Sequence, residues 1–227
     1  MTNSQVGIRR PRLLERLVAA GYDLLSAGVE REVFAPRRRE LLAEARGRVL
    51  DVGAGTGANL PHFAWASGQV ADVVLLDPSA GMLARAQRRA RQLGLTVQLF
   101  DKPAEQLPFA DETFDTIVCA LTLCTIADPA AALREAYRVL RQSGRLLVLE
   151  HVRAREPSLA TWQDRLTPLW QPINNGCHLN RDTRAAIEAA GFAFERVAEF
   201  RERRIPLSIV QPQLVGVARK REHPASH

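Results

Sequence analysis

The chain has almost no lysine. Lys102 and Lys220 are the only two among 31 basic residues, so the formal net charge of +6 rests on arginine. The arginines gather at Arg9-Arg10-Pro11-Arg12, Arg37-Arg38-Arg39, Arg88-Arg89 and Arg201 to Arg204, with glutamates such as Glu40 and Glu202 among them. Aromatic residues make up 6% of the sequence and do not interleave with these clusters, so solvated helix faces are expected and no nucleic-acid partner is. Weak peripheral contact with an anionic membrane surface is left open by the basic N-terminal region. Cysteine is scarce as well. Cys119, Cys124 and Cys177 fit neither a disulfide framework nor a paired zinc motif, so no metal is expected, and Cys119 and Cys124 read as buried apolar fillers. No apolar run approaches a membrane span, and the first ten residues lack the apolar core of a signal peptide, which points to the cytoplasm. No internal repeat or low-complexity segment occurs.

What is present suits one globular domain: 227 residues, 46% hydrophobic and 25% charged, enough to bury a large core. The organising stretch is Arg48 to Asn59. Val49, Leu50 and Val52 read as a buried strand, and Gly53, Gly55 and Gly57 follow at spacing two. Glycines this close permit a sharp turn and let backbone N–H groups approach a ligand that a Cβ would push away. Asn59 to Ala66 is expected to open a helix whose N-terminus offers further donors. A dinucleotide turn wants Gly-x-Gly-x-x-Gly, whereas this one is Gly-x-Gly-x-Gly with Asp51 just before it. A carboxylate there repels a pyrophosphate and suits an ammonium or a sulfonium, which argues against a nicotinamide cofactor. S-adenosyl-L-methionine carries both cations. The next strand, Asp72 to Asp77, ends in a second carboxylate placed to accept both ribose hydroxyls.

Taken in order, residues 1–46 are expected to form a helical cap, with short helices between Pro11 and Phe34 and another from Pro36 to Arg46. Residues 47–152 form the cofactor-binding core. Its strands are expected at 49–52, 72–77, 96–100, 114–120 and 145–151, with a helix ended by Gly94 and another stopped by Gly144. Residues 153–181, rich in proline and tryptophan, break the rhythm and read as a substrate cap. Residues 182–227 close the domain with a helix capped by Asn180 and an antiparallel pair at 192–200 and 214–218. Strands alternating with helices at this interval predict an α/β, Rossmann-like, doubly wound and mostly parallel sheet of seven strands.

The core resembles the family that contains the ubiquinone and menaquinone C-methyltransferases. Asp51 to Gly57, Asp77-Pro-Ser, Ala104-Glu-Gln-Leu-Pro-Phe109, Phe114-Asp115 and Arg138-Val-Leu140 carry that resemblance. A second set is similar to the thiol S-methyltransferases of the animal endoplasmic reticulum. It comprises Gly55-Thr-Gly-Ala-Asn59, Val118-Cys-Ala-Leu-Thr-Leu-Cys124, Glu150-His-Val152, Pro168-x-Trp170, Gly176-Cys-x-Leu-x-Arg181 and Pro206-Leu-Ser208. The hydrophobic N-terminal anchor of that family has no counterpart in this sequence, which implies a soluble relative.

The resemblance implies a class I S-adenosylmethionine-dependent methyltransferase that releases S-adenosyl-L-homocysteine. By position, Asp51 and the backbone of Gly53, Ala54, Gly55 and Gly57, with Asn59 beside them, would hold the methionine end. Asp77 and Pro78 would meet the ribose, with Met82 packing nearby. Ala104 and Glu105 would border the adenine, and the carbonyls of Ala120 and Leu121 would face the methionine ammonium. Pro103 stands where quinone-type relatives usually carry aspartate, so adenine N6 is left without its usual partner.

The expected partner is a small-molecule acceptor, with a thiol as first reading. A quinone-precursor carbon and a phosphatidylethanolamine nitrogen stay open, as does the oligomeric state. A thiol reacts as its thiolate, with an ordinary pKa of about 8.5. His151 at the end of the fifth strand and His178 beside Cys177 are therefore the candidate catalytic bases. Cys177 is not expected to act as a covalent nucleophile, because methyl transfer needs no enzyme-bound intermediate.

Overall fold

A computed structural model describes residues 28–172 and 174–221 of the protein. The helices expected before Gly28 lie outside the described residues. A π-helical turn, Glu30–Phe34, runs directly into α1, Ala35–Leu42. Pro36 has no N–H to return to Glu32, and the Ala35 N–H instead reaches the Glu30 carbonyl, which widens the turn at that point.

Seven strands follow: β1 Gly47–Val52, β2 Val70–Leu76, β3 Gln98–Phe100, β4 Phe114–Ala120, β5 Leu140–His151, β6 Phe192–Arg201 and β7 Pro212–Lys220. They form one sheet in the order β3-β2-β1-β4-β5-β7-β6. The pairs from β3 through β5 are parallel, and β7 runs antiparallel to both β5 and β6. The central strands are apolar on both faces because helices cover both. Leu50, Val74, Ile117 and Val148 face Leu133 and Ala136 of α3, Pro129–Val139, and Ile187 of α5, Thr183–Ala189. Val49, Val73, Val118 and Leu147 face Leu41 and Leu42 of α1 and Leu83 and Ala86 of α2, Ala80–Gln92. Successive strand residues thus alternate between two apolar layers. The strand order reverses between β1 and β4, and the crevice beyond their carboxyl ends is where open α/β sheets take ligands.

Several local expectations are corrected. The stretch after the glycine turn is not an α-helix but two 3₁₀ turns, Leu60–His62 and Trp65–Ser67, with Phe63 extended between them. The Leu60 N–H bonds the Gly57 carbonyl and the His62 N–H bonds the Asn59 carbonyl, so these donors are spent locally. Gly144 does not stop α3. The helix ends at Val139, and Gly144 lies inside β5, where a Cβ would come within 2.6 Å of Leu140 Cδ1. Asn180 does not cap the last helix: Asp182 does, accepting from the Ala185 N–H at 3.1 Å.

The 153–181 segment contains α4, Pro157–Trp170, with Pro168 inside it. Gln163 pins this helix to the sheet edge. Its amide oxygen accepts from Ala154 N at 2.7 Å, and its Nε2 donates to the carbonyls of Val152 (3.2 Å) and Ile209 (2.9 Å). Among the described residues no helix is long and apolar enough to cross a membrane.

Candidate active site

The glycine turn is held by the tips of two neighbouring strands. The Gly55 N–H donates to Asp77 Oδ2 at 2.9 Å, and Asp77 Oδ1 accepts from Ser79 N at 2.8 Å. Asp77 closes β2 and is buried, which raises its pKa, while the two backbone N–H groups pull the other way. Gly53 has φ +64° and sits so close to Thr122 that a Cβ would fall 2.3 Å from its Cγ2. Gly55 is different. Its φ is +54°, but a Cβ there would meet nothing nearer than the Gly53 carbonyl at 3.9 Å, so the turn presents a bare backbone to open space.

Asp51 is wholly buried at the end of β1. Its Oδ1 accepts from Asn59 Nδ2 at 2.8 Å, and its Oδ2 is buried with no partner among the described residues. Burial raises its pKa to about 7, against the pull of the Asn59 amide and the more distant Arg38 charge. Asn59 is oriented from the other side: its Oδ1 accepts from Arg38 Nη1 at 2.5 Å, and Arg38 Nε donates to Glu30 Oε1 at 2.8 Å. Within the arginine cluster of α1, Arg39 is exposed as expected, but Arg38 is not part of a solvated face. Arg38 is 5% exposed, and Arg37 stacks 4.6 Å from the centre of the Phe200 ring. The signal available in the sequence was α1's position directly before β1, on the side of the sheet where the glycine turn opens.

The remaining residues expected around the ligand lie at the same edge with differing exposure. Met82 is buried and its N–H caps back to Ser79 Oγ at 3.3 Å, whereas Pro78 is exposed. Ala104 packs into the core beside Leu76 and Leu107. Glu105 extends toward α3, where its Oε1 accepts from Asp128 N at 3.2 Å. Beyond β4, Leu121 takes φ +60°, a strained conformation for a leucine, and the chain then turns through Thr122 to Cys124. Glu150 holds that turn: fully buried, it accepts the N–H groups of Thr122 and Leu123 at 2.8 Å each and of Cys124 at 3.3 Å. Its pKa is raised to about 7, because burial outweighs those three bonds.

The two candidate histidines meet the same turn. The His178 N–H donates to the Cys124 carbonyl at 2.8 Å. His178 Nδ1 lies 2.9 Å from the Gly176 carbonyl, and its Nε2 is 3.5 Å from Arg181 Nη2. Arg181 in turn donates to the Leu123 carbonyl and so braces the loop. His151 is buried, with Nδ1 3.7 Å from Cys177 Sγ and Nε2 without a partner among the described residues. Cys124 is not an isolated filler, because Cys124, His151 and Cys177 bring their three donor atoms within 4.8 Å of one another. The neighbouring Cys124 thiol lowers the pKa of Cys177, with His151 adding to the effect, and the same pairing together with burial raises Cys124. Cys119, by contrast, packs in the core as expected.

Comparison with known proteins bears on the family. A methyltransferase domain family matches residues 50–148. A thiol S-methyltransferase of Rattus norvegicus is 32% identical over 189 residues, covering 81% of this chain and 75% of its own. A human thiol S-methyltransferase is 30% identical over 207 residues, covering 88% and 81%. A ubiquinone/menaquinone biosynthesis C-methyltransferase of Sinorhizobium fredii is 38% identical over 151 residues, covering 63% and 57%. Among solved structures, a SAM-dependent methyltransferase from Aquifex aeolicus superposes with a TM-score of 0.61 at 21% identity, over 89% of this chain and 97% of its own. The [4+2]-cyclase SpnF superposes at 0.66 with 21% identity over 86% and 81%, so likeness of fold alone does not specify the reaction. The extent of the sequence relationship does: the chain belongs to the S-adenosylmethionine-dependent methyltransferases.

Proposed function

We propose that the protein S-methylates a small thiol. The observation that carries this reading is how far each likeness extends. A match spanning 81% of the chain takes in the whole 153–181 segment wherever it begins, and the relatives matched at that length are thiol S-methyltransferases. The C-methyltransferase match covers 63%, and the domain family stops at residue 148, before the segment that supplies Cys177 and His178.

S-adenosyl-L-methionine, when bound, supplies a methyl group already activated on a sulfonium. The residues present fit it. Asp51 Oδ2 is a buried acceptor lacking a donor, and the methionine ammonium is a donor of the right charge. Gly55 leaves space for the ligand to lie against backbone, and Asp77, with a lone pair free on each oxygen after its bonds to Gly55 and Ser79, accepts the ribose hydroxyls. Met82 and Pro78 border the ribose, Ala104 and Glu105 the adenine, and the carbonyls of Ala120 and Leu121 the ammonium. The chain's work is then alignment of the acceptor with the methyl group, worth roughly 7–11 kcal/mol in well-oriented reactions. His178 spends its Nδ1 on the Gly176 carbonyl and positions the 176–181 loop. His151, beside two sulfurs, is the histidine left to serve the acceptor site.

The test is product analysis with methyl-labelled cofactor and a panel of alkyl and aryl thiols. Labelled thioether is expected, and none from any thiol sinks the reading. A second reading, methylation of a quinone-precursor carbon, is favoured by the higher identity of the shorter match. A demethylated quinol accepted in place of every thiol would establish it.

A further inference from the structure

Three soft donor atoms converge beyond the carboxyl ends of β4 and β5. Cys124 belongs to the turn after β4, His151 ends β5, and Cys177 comes from the loop after α4. All three are buried, and their donor atoms lie within 4.8 Å of one another, with Cys177 Sγ and His151 Nδ1 at 3.7 Å. A tetrahedral zinc ion with Zn–S of about 2.3 Å and Zn–N of about 2.0–2.1 Å sets ligand–ligand spans of about 3.6–3.8 Å. The observed cluster already has one such span, and the others need contraction of no more than about 1.2 Å to reach it.

The surroundings match what such a centre requires. Metal-bound histidine gives its other N–H to a nearby acceptor, which fixes the ring. His151 Nε2 is buried without a partner, and so is Gln213 Oε1, on the residue directly opposite His151 across the β5–β7 pair. The Trp170 indole N–H is buried beside Cys177 and favours its thiolate. The Cys124 N–H is anchored on Glu150 at 3.3 Å, and the Cys124 carbonyl holds the loop that carries Cys177. Two buried polar atoms at this sulfur–imidazole cluster, His151 Nε2 and Gln213 Oε1, thus have no partner among the described residues, whereas buried polar groups are ordinarily satisfied.

We propose that Cys124, His151 and Cys177 form a three-ligand zinc site whose open fourth position takes the sulfur of the acceptor thiol. This rests on the thiol reading of the preceding subsection for the identity of the fourth ligand only. Three protein ligands with a vacant position is the arrangement of catalytic rather than structural zinc. The acceptor R–SH loses its proton to solvent as its sulfur binds the metal, and the two cysteine thiolates leave the complex net anionic and the bound sulfur nucleophilic. A lone pair of that sulfur forms the new S–CH₃ bond while the sulfonium–CH₃ bond breaks, its electron pair staying on the sulfur of the departing S-adenosyl-L-homocysteine. The neutral thioether is a poor zinc ligand and gives way to water or the next thiol. Zinc changes oxidation state at no point.

The experiment uses the full chain purified under reducing conditions. Elemental analysis is expected to find one zinc per chain. The cobalt-substituted protein is expected to show the intense visible bands of a tetrahedral site and a sulfur-to-cobalt charge-transfer band that shifts and strengthens on adding an alkyl thiol. Cys177→Ser and His151→Ala should each bring zinc content to well under half. Should those variants fail to fold, zinc released from the wild-type protein by titration with a mercurial, followed with a chromophoric chelator, reads the same ligands. Full thiol-methylating activity in protein stripped of zinc overturns the site while leaving the thiol reading intact. So does a reduced protein that takes up no zinc, or a Cys124–Cys177 disulfide found in the active enzyme. A cobalt spectrum indifferent to every thiol, in protein that methylates a quinol, overturns the fourth-ligand assignment together with the thiol reading.

Discussion

Arg38 and Asn59 are 21 positions apart in the chain, yet the guanidinium Nη1 lies 2.5 Å from the amide Oδ1. That contact decides which way the Asn59 amide faces. With Oδ1 committed to Arg38, Nδ2 must point at Asp51, which it reaches at 2.8 Å. A side chain from the helix before the sheet thus sets the hydrogen bonding of the carboxylate at the first strand's tip.

The first prediction concerns that relay. Arg38→Met removes the donor to Asn59 and leaves Glu30 and the amide oxygen unpaired, and such buried losses cost about 1–3 kcal/mol each. Arg38→Lys should rescue little, because one ammonium cannot reproduce the forked donation to Glu30 Oε1 and Asn59 Oδ1. Thermal unfolding and titration calorimetry with S-adenosyl-L-homocysteine would read both effects. Wild-type affinity in Arg38→Met would show that the amide keeps its orientation unaided.

Asp77→Ala should weaken cofactor binding by at least about tenfold. It removes the ribose acceptor, and bonds to a charged group are worth about 1.5–3 kcal/mol. It also frees the Gly55 N–H, which Asp77 Oδ2 holds at 2.9 Å. Asp77→Asn keeps one acceptor oxygen and should fall between wild type and alanine. Unchanged affinity in the alanine variant contradicts the ribose assignment.

The strands, their order of appearance and the glycine turn were legible because each is written in contiguous residues: Val49-Leu50-x-Val52 and its glycines, or the buried run Ile117 to Ala120. Arg38 was not, since an arginine in a run of three looks like solvent-facing charge until its helix is packed. The Cys124–His151–Cys177 cluster was not either. Its members come from three elements spread over more than 50 positions, and no local spacing marks them as neighbours. The false helix at Asn59 to Ala66 has a local cause: Asn59 spends its side chain on Asp51 and Arg38, and the chain then turns extended at Phe63, two residues past Pro61.

Asp51 predicts a pH dependence of definite sign. Its carboxyl is raised from 3.8 to about 7 in the fold, so over roughly pH 4 to 7 the folded state holds a proton that the unfolded chain has lost. Stability of the ligand-free protein should therefore fall as pH rises through that window, and Asp51→Asn should flatten this part of the slope. The methionine ammonium favours the ionised carboxylate, so affinity for S-adenosyl-L-homocysteine should rise from pH 6 to 8 in the wild type. In Asp51→Asn it should be weaker and nearly level. A pH-independent affinity in the wild type would detach Asp51 from the ammonium.

Gly53 tests the contact between the glycine turn and the turn after β4. Gly53→Ala places a methyl 2.3 Å from Thr122 Cγ2 and 2.5 Å from its Oγ1, at a residue with φ +64°. The backbone strain alone costs about 1 kcal/mol or more, and the clash forces Thr122 away from Gly53. Thr122 is also the first of three N–H groups on Glu150, so its displacement should carry into the Cys124 turn. Cofactor affinity and turnover should fall together by at least tenfold. The double variant Gly53→Ala/Thr122→Ala removes the two nearest clashing atoms and leaves a tight 3.0 Å approach to the Cβ of residue 122 and the strain at residue 53, so it should recover turnover more than thermal stability. Equal recovery of both would place the whole defect in the steric contact, and no recovery of either would place it in the φ angle of Gly53.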